Sequence, residues 1–333
     1  MFSALLAPAA LLAPAWTADL PLLAILVGLV CLVVGADLLV RGAVWIALTL
    51  GMSRMAVGLT LVAMGTSLPE LLVSLTAAQE GASAIAMANV IGSNTANVLL
   101  IVGVAAAICP IHLMVRRYEL VYMLVATLLA GVPFVFGAEL TRPLAGAMVV
   151  MLVMFMFGLL RRERTQEQHP GHEPAPRATV GGWLLHIALV LAGLATLAYG
   201  AEWLVEGAVA IAQSLGMSQA VIGMTIVAVG TSLPELATSA VAAKKGQSEI
   251  AIGNVIGSNI FNVGSVLGIA GLIEPFPIDV VGLARLMWMT VGSALVFAAL
   301  LRLRGGVSRL AGIGFLVAYF GYMAFEVLQG RTG

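Results

Sequence analysis

GTSLPEL occupies Gly65–Leu71, and the same string returns at Gly230–Leu236, each time inside a long apolar stretch. Pro69 has no amide hydrogen and its ring clashes with the carbonyl four residues back, so a helix breaks here and the carbonyl of Gly65 loses its partner. Pro234 does the same to the carbonyl of Gly230. Backbone this irregular is tolerated at membrane depth only where it lines protein or a watery cavity. With the hydroxyls of Thr66, Ser67, Thr231 and Ser232, the freed carbonyls make a cluster of hard oxygen ligands. Beside them stand Glu70 and Glu235. A carboxylate at the centre of a transmembrane helix costs on the order of 2.5–3.5 kcal/mol. Protonation, or a partner on a neighbouring helix, would account for one such residue; a matched pair flanked by Gly, Thr, Ser and Pro points to something bound.

The repeat extends well beyond the string. A shift of 165 positions aligns Gly35–Gly103 with Gly200–Gly268 without a gap, and about 40 of 69 positions are identical. Within it a second polar element recurs, Asn89–Asn97 (NVIGSNTAN) and Asn254–Asn262 (NVIGSNIFN). Asn89, Ser93 and Asn97 fall at i, i+4 and i+8 and share one helix face, as do Asn254, Ser258 and Asn262. Such a face serves either as ligands or as interhelical glue; Asn94 and Asn259 point elsewhere and read as glue. Gly92 and Gly257 are small enough to let a neighbouring helix come close.

The surrounding chain is built for a bilayer. Of its 333 residues 61% are hydrophobic and only 10% charged, with a mean hydropathy of +1.07, which excludes an ordinary soluble domain. Net charge is zero and no basic block occurs, which argues against a nucleic-acid partner. Crossing the hydrocarbon takes about 20 apolar residues. Ten stretches qualify: 21–48, 55–78, 84–108, 118–137, 143–160, 182–213, 219–243, 249–272, 284–301 and 309–328. The expected fold is therefore all-α and polytopic, a first five-helix repeat over 1–160, a polar linker at 161–180 and a second repeat over 181–333. Five spans are an odd number, so the second copy enters the membrane the other way up, an inverted repeat with its binding site expected near the midplane. One side of this layout receives Arg54, Arg116, Arg117, Arg161, Arg162, Arg164, Arg177, Lys244, Lys245, Arg302, Arg304 and Arg309; the other receives only Arg142, Arg285 and Arg331. Positive-inside bias then puts the linker in the cytoplasm and both termini outside, in the cell's inner membrane. The first twenty residues lack a positive n-region and read as an uncleaved outer tail.

The doubled GTSLPE string, with the last Asn of a GSNxxN string 27 residues on, resembles the alpha-repeats of the calcium/cation antiporter superfamily, best known for sodium/calcium exchangers. The resemblance covers both repeats and the ten-span layout. It implies an exchanger whose GTSLPE glutamates bind Ca2+ and Na+ alternately, with no cofactor. By motif position it implies the ligands Ala63, Thr66, Ser67, Glu70, Ser93 and Asn97, and Ala228, Thr231, Ser232, Glu235, Ser258 and Asn262. The departure is Asn262, where several sodium/calcium exchangers carry Asp; it leaves two formal negative charges, enough for one Ca2+ or two Na+, and makes H+ the alternative counter-ion. An all-oxygen donor set without Cys, Met or His suits the same hard ions. The expected mechanism is alternating access with spans one and six sliding against the rest. A cation channel is the rival of a different class, disfavoured because two halves around one site do not make a ring about a pore. No nucleophile–base constellation or phosphate loop suggests an enzyme, and nothing in the chain dictates an oligomeric state.

Other polar residues read less sharply. Asp37 and Arg41, at i and i+4, match Glu202 and Glu206, and serve either as a gating contact or as charges paired near a helix end. His169 and His172 lie in the linker without further ligands, as in a solvated loop. Cys31 and Cys109 sit in apolar runs as small buried thiols.

Overall fold

A chain whose apolar runs leave the backbone no hydrogen-bond partner but itself must coil wherever lipid replaces water. The computed structural model, which describes residues 14, 16–79, 83–113, 115–137, 139–166, 178–216, 226 and 228–330, is accordingly helical throughout its long elements. α1 (Pro21–Thr49) is followed by α2 (Arg54–Thr66) and α3 (Leu68–Gln79). α4 begins as Ser83–Ala96, passes through a π-turn at Asn97–Ile101 and ends as Val102–Ile108. After strand β1 (Ile111–His112) come α5 (Arg117–Phe136), β2 (Glu139–Leu140) and α6 (Arg142–Gln166). Then follow α7 (Val180–Ser214), α8 (Leu233–Lys244) and α9 (Ser248–Ile273, with a π-turn at Asn262–Leu267). β3 (Phe276–Pro277), α10 (Val280–Leu303), β4 (Gly306–Val307) and α11 (Arg309–Gly330) complete the order. Elements recur at the repeat spacing: α3 matches α8, and the π-turns open on Asn97 and Asn262.

Among the described residues seven helices are each long and apolar enough to cross a membrane, and α2 with Leu68–Ala77, bent by 43°, forms an eighth as a broken pair. The expected stretch 309–328 is α11. The expected stretch 219–243 lies partly outside the described residues; the rest is a turn at Ala228–Gly230 followed by α8. The polar linker starts later than 161, because α6 continues to Gln166. Arg161 and Arg162 are good helix formers whose long stems let the charge reach water from within a helix. Residues 167–177, with His169, His172 and Arg177, lie outside the described part, as does the tail 1–13.

α4 and α9 form the centre: 78% of their most apolar stretch is buried, against 17% for α7, which lies at the periphery. α1 and α7 pack antiparallel along glycines spaced seven apart, Gly28, Gly35 and Gly42 on one, Gly193, Gly200 and Gly207 on the other. A Cβ on Gly28 would lie 2.7 Å from the carbonyl oxygen of Gly200, and one on Gly35 would lie 2.9 Å from that of Gly193. The two backbones therefore meet at these glycines, with Leu197 and Leu204 packed directly beside them. Gly257 lets α9 approach α2 in the same way, a Cβ there falling 2.6 Å from the carbonyl of Leu59; at Gly92 no atom comes within 4 Å among the described residues. α1 ends on Gly51 at φ 67°, whose N–H reaches Leu48 while that of Met52 reaches Ala47, closing the last carbonyls.

The ends of the molecule differ in charge. β1 pairs antiparallel with β4, which brings the loops bearing Arg116 and Arg304 together. Arg54 bonds Gln247 at 2.8 Å, and the amide of Ser53 donates to Glu163 at 2.7 Å, so the loops after α1 and α8 and the last turns of α6 meet at the same end. The second pair, β2 with β3, joins the loops carrying Glu139 and Glu274. Asp37 is held by Arg41 at 2.6 Å and by Lys245, and Glu206 accepts from Thr17, so these helix charges are paired with neighbours. Cys31 and Cys109 are free thiols.

Candidate functional site

Each GTSLPEL string sits where one helix stops and another starts. Thr66 ends α2, Ser67 turns with φ −85° and ψ 6°, and α3 begins at Leu68 with Pro69 in its first turn. In the second copy Ser232, at φ −87° and ψ 3°, precedes α8 with Pro234 in its first turn. Proline's missing N–H and fixed φ make it a good opener of a helix and a poor continuation of one. The consequence is that Glu70 and Glu235 each occupy the first turn of a helix, where exposed amide dipoles favour a negative group. Both side chains are 1% exposed.

The oxygens around them interlock across the two copies. Ser67 Oγ donates to Glu235 Oε1 at 3.1 Å, and Ser93 Oγ donates to Glu70 Oε1 at 3.4 Å. Ser93 Oγ also lies 3.2 Å from Ser232 Oγ, so a hydroxyl of the second copy joins the network around Glu70. Thr66 Oγ1 donates to Asn254 Oδ1 at 3.1 Å, and its counterpart Thr231 Oγ1 donates to Asn89 Oδ1 at 3.4 Å. Asn97 Nδ2 donates to Asn259 Oδ1 at 2.9 Å; Asn262 Nδ2 donates to Asn94 Oδ1 at 3.1 Å. The threonine–asparagine and asparagine–asparagine contacts thus occur twice with the copies exchanged, whereas the serine contacts to the carboxylates do not.

That bonding leaves a defined set of atoms unspent. Glu70 Oε2, Glu235 Oε2, Asn97 Oδ1, Asn262 Oδ1 and Ser258 Oγ are buried oxygens without a hydrogen-bond partner. Interiors rarely leave such atoms bare. The two asparagines commit their amide hydrogens to the glue residues Asn94 and Asn259, which keeps their carbonyl oxygens as pure acceptors. The carbonyl of Ala63 accepts from the amide of Ser67 at 3.0 Å and from Thr66 Oγ1 at 3.4 Å. Ala228 opens the turn ahead of Gly230. Of the twelve residues expected at the site, Ala63, Thr66, Ser67, Glu70, Ser93, Asn97, Thr231, Ser232, Glu235 and Asn262 each take part in one or more of these bonds. Ser258, fully buried, lies one turn before Asn262 on α9.

Ser74 and Ser239 matter as well, two positions that the strings do not single out. Asn89 Nδ2 donates to Ser74 Oγ at 2.9 Å and to the backbone carbonyl of Glu70 at 3.3 Å. Asn254 does the same with Ser239 at 3.1 Å and the carbonyl of Glu235 at 3.5 Å. These bonds hold the first turn of α3 and α8 against α4 and α9. The recurrence of Ser74 as Ser239 in the repeat is the signal that finds them. The π-turns on Asn97 and Asn262 have no such signal, although π-turns gather at functional sites.

A profile of the family described as "Sodium/calcium exchanger protein" matches residues 20–161 and 185–328. CaxA of Alkalimonas amylolytica is 40% identical over 90% of this chain and 96% of its own. The sodium/calcium exchanger MaX1 of Methanosarcina acetivorans is 33% identical over 90% of this chain and 97% of its own. The solved structure of the sodium-calcium exchanger NCX_Mj soaked with 2.5 mM Na+ and 10 mM Sr2+ superposes with a TM-score of 0.78 at 31% identity, covering 92% of this chain and 99% of that one.

Proposed function

The chain belongs to the sodium/calcium exchanger family, and from that premise we propose that it exchanges Ca2+ for Na+ by alternating access at a site centred on Glu70 and Glu235. The observation that carries this reading is the set of five unpartnered buried oxygens, two of them carboxylate. Four of the five are acceptor oxygens and the fifth, the Ser258 hydroxyl, can accept as well, so a hard cation meets their demand. Two carboxylates balance one Ca2+ or two Na+, and the same oxygens cannot serve both at once. Ala63, Thr66, Ser67, Ser93 and Asn97, with Ala228, Thr231, Ser232, Ser258 and Asn262, would complete the coordination. An ion-free, occluded site would strand two carboxylates away from water, which favours exchange over leak.

The same proposal takes the chain as ten spans in two inverted five-helix repeats, with both termini outside and the linker cytoplasmic. Two features support it. α3 leads away from the basic end of the molecule whereas its repeat α8 leads to Lys245 at that end, and Thr66–Asn254 recurs with the copies exchanged as Thr231–Asn89. The α1–α7 pair, joined backbone to backbone, is the element proposed to slide.

Calcium uptake into proteoliposomes holding the purified protein tests the coupling, with an outward Na+ gradient and an outward H+ gradient imposed separately. Uptake driven by Na+ is the expected result. Uptake driven by H+ alone would reject Na+ as counter-ion while retaining the site. Asn262→Asp is a second test. It adds a third acid and removes the amide that donates to Asn94, so the Na+ dependence of uptake is expected to steepen. An unchanged dependence would show that residue 262 does not set the number of Na+ ions.

A further inference from the structure

One ion pair fastens the helices proposed to slide to the body that they slide against. Asp37, on α1, binds Arg41 Nε through Oδ2 at 2.6 Å and Lys245, the C-cap of α8, through Oδ1. We propose that the Asp37–Lys245 pair is a one-sided latch, which holds α1 against α8 and must open before the site is reached from the basic end. The latch rests on the alternating-access reading with α1 and α7 as the moving pair.

α8 starts at the site, with Glu235 in its first turn, and finishes on Lys245 at the basic end. Its seam with α1 therefore runs from the site towards the water on that side. The seam is packed: α1 lies against α8, and Leu233 and Ala237 join the core. The repeat-related seam, α7 with α3, is not closed in the same way. Those two helices make little contact among the described residues, and Leu68 and Leu72, which match Leu233 and Ala237, are exposed. The charges follow the same division. At the repeat spacing Asp37 becomes Glu202 and Lys245 becomes Glu80. Two acids repel where acid and base attract, so the second copy cannot build this latch. Arg41 eases release. When Lys245 leaves, Asp37 keeps one cation and Lys245 keeps the C-terminus of α8, so opening strands no charge.

Double electron–electron resonance on the purified full chain in detergent tests the latch, with Cys31 and Cys109 replaced by Ser and spin labels at Leu50 and Leu303. Both labelled positions are exposed, one just past α1 and the other at the end of α10, so their separation follows α1 against the body. Two distances are expected in the presence of Na+ or Ca2+. In Lys245→Gln the latched distance should lose population about fivefold relative to the other, the upper range for an exposed ion pair. Asp37→Asn should do the same, and the double variant Asp37→Asn/Lys245→Gln should do no more than either alone. Lys245→Arg should keep the original ratio. Lys244→Gln, which removes the same charge one residue away, should leave it unchanged. A ratio that stays the same in Lys245→Gln, or shifts equally in Lys244→Gln, would overturn the latch and leave the sliding pair standing. One fixed distance in every variant would overturn both.

Discussion

Glu235→Gln is expected to abolish Ca2+ uptake, and Glu70→Gln to do the same, with Ca2+ affinity falling at least about thirtyfold in each. Glutamine keeps the shape of the side chain and the oxygen that accepts from Ser67 or Ser93, so the helix break and its hydroxyl chain persist. What is lost is one of two charges in a fully enclosed site. Leaving a buried ion with half its countercharge costs about 2 kcal/mol or more, and at 1.4 kcal/mol per tenfold that is at least about thirtyfold. Isothermal titration with Ca2+ and proteoliposome flux on the same preparations read both quantities. Exchange at the unsubstituted rate in either variant would remove that glutamate from the site. Because both carboxylates would serve the same ion, the double variant should cost less than the sum of the singles.

Gly200→Val is expected to stop exchange while leaving Ca2+ binding intact. A Cβ at Gly200 would fall 2.8 Å from Cβ of Cys31 and 2.9 Å from the carbonyl of Gly28, so valine forces α1 and α7 apart and roughens the surface along which they would move. Overpacking of this kind costs about 1–3 kcal/mol. The substitution lies outside the ion-binding oxygens, so titration with Ca2+ should be unaffected while uptake falls. Gly200→Ala, with a smaller intrusion, should give a partial loss. Normal uptake in the valine variant would exclude movement of this pair as the transport step.

Hydropathy places most helices within a few residues, 182–213 against Val180–Ser214 and 309–328 against Arg309–Gly330, because in lipid the run of apolar residues and the run of helix are one physical requirement. Boundaries slip where charge does not end a helix, as at Gln166. The buried glutamates and the break at each proline are legible for the same reason: both are costly in apolar surroundings, so their presence must be explained locally. What is not legible is which oxygen meets which. Ser67 bonds the glutamate of the other copy, whereas Ser93 bonds the one of its own, and only the crossing of α2, α4, α8 and α9 decides this. Likewise Asn94 and Asn259 read as glue, and it takes the fold to aim that glue at Asn262 and Asn97, leaving two carbonyl oxygens facing inward.

The two short strand pairs have a mechanical meaning. β1 with β4 ties the loop before α5 to the loop between α10 and α11; β2 with β3 ties the loop between α5 and α6 to the one before α10. Each rim is thus riveted across the halves by main-chain bonds, and α5, α6, α10 and α11 become a closed frame of fixed circumference. Among the described residues no such rivet reaches α1 or α7, which meet at closely approaching glycines. Main-chain ties across the halves are thus placed around α5, α6, α10 and α11, and the helix pair proposed to slide carries none of them.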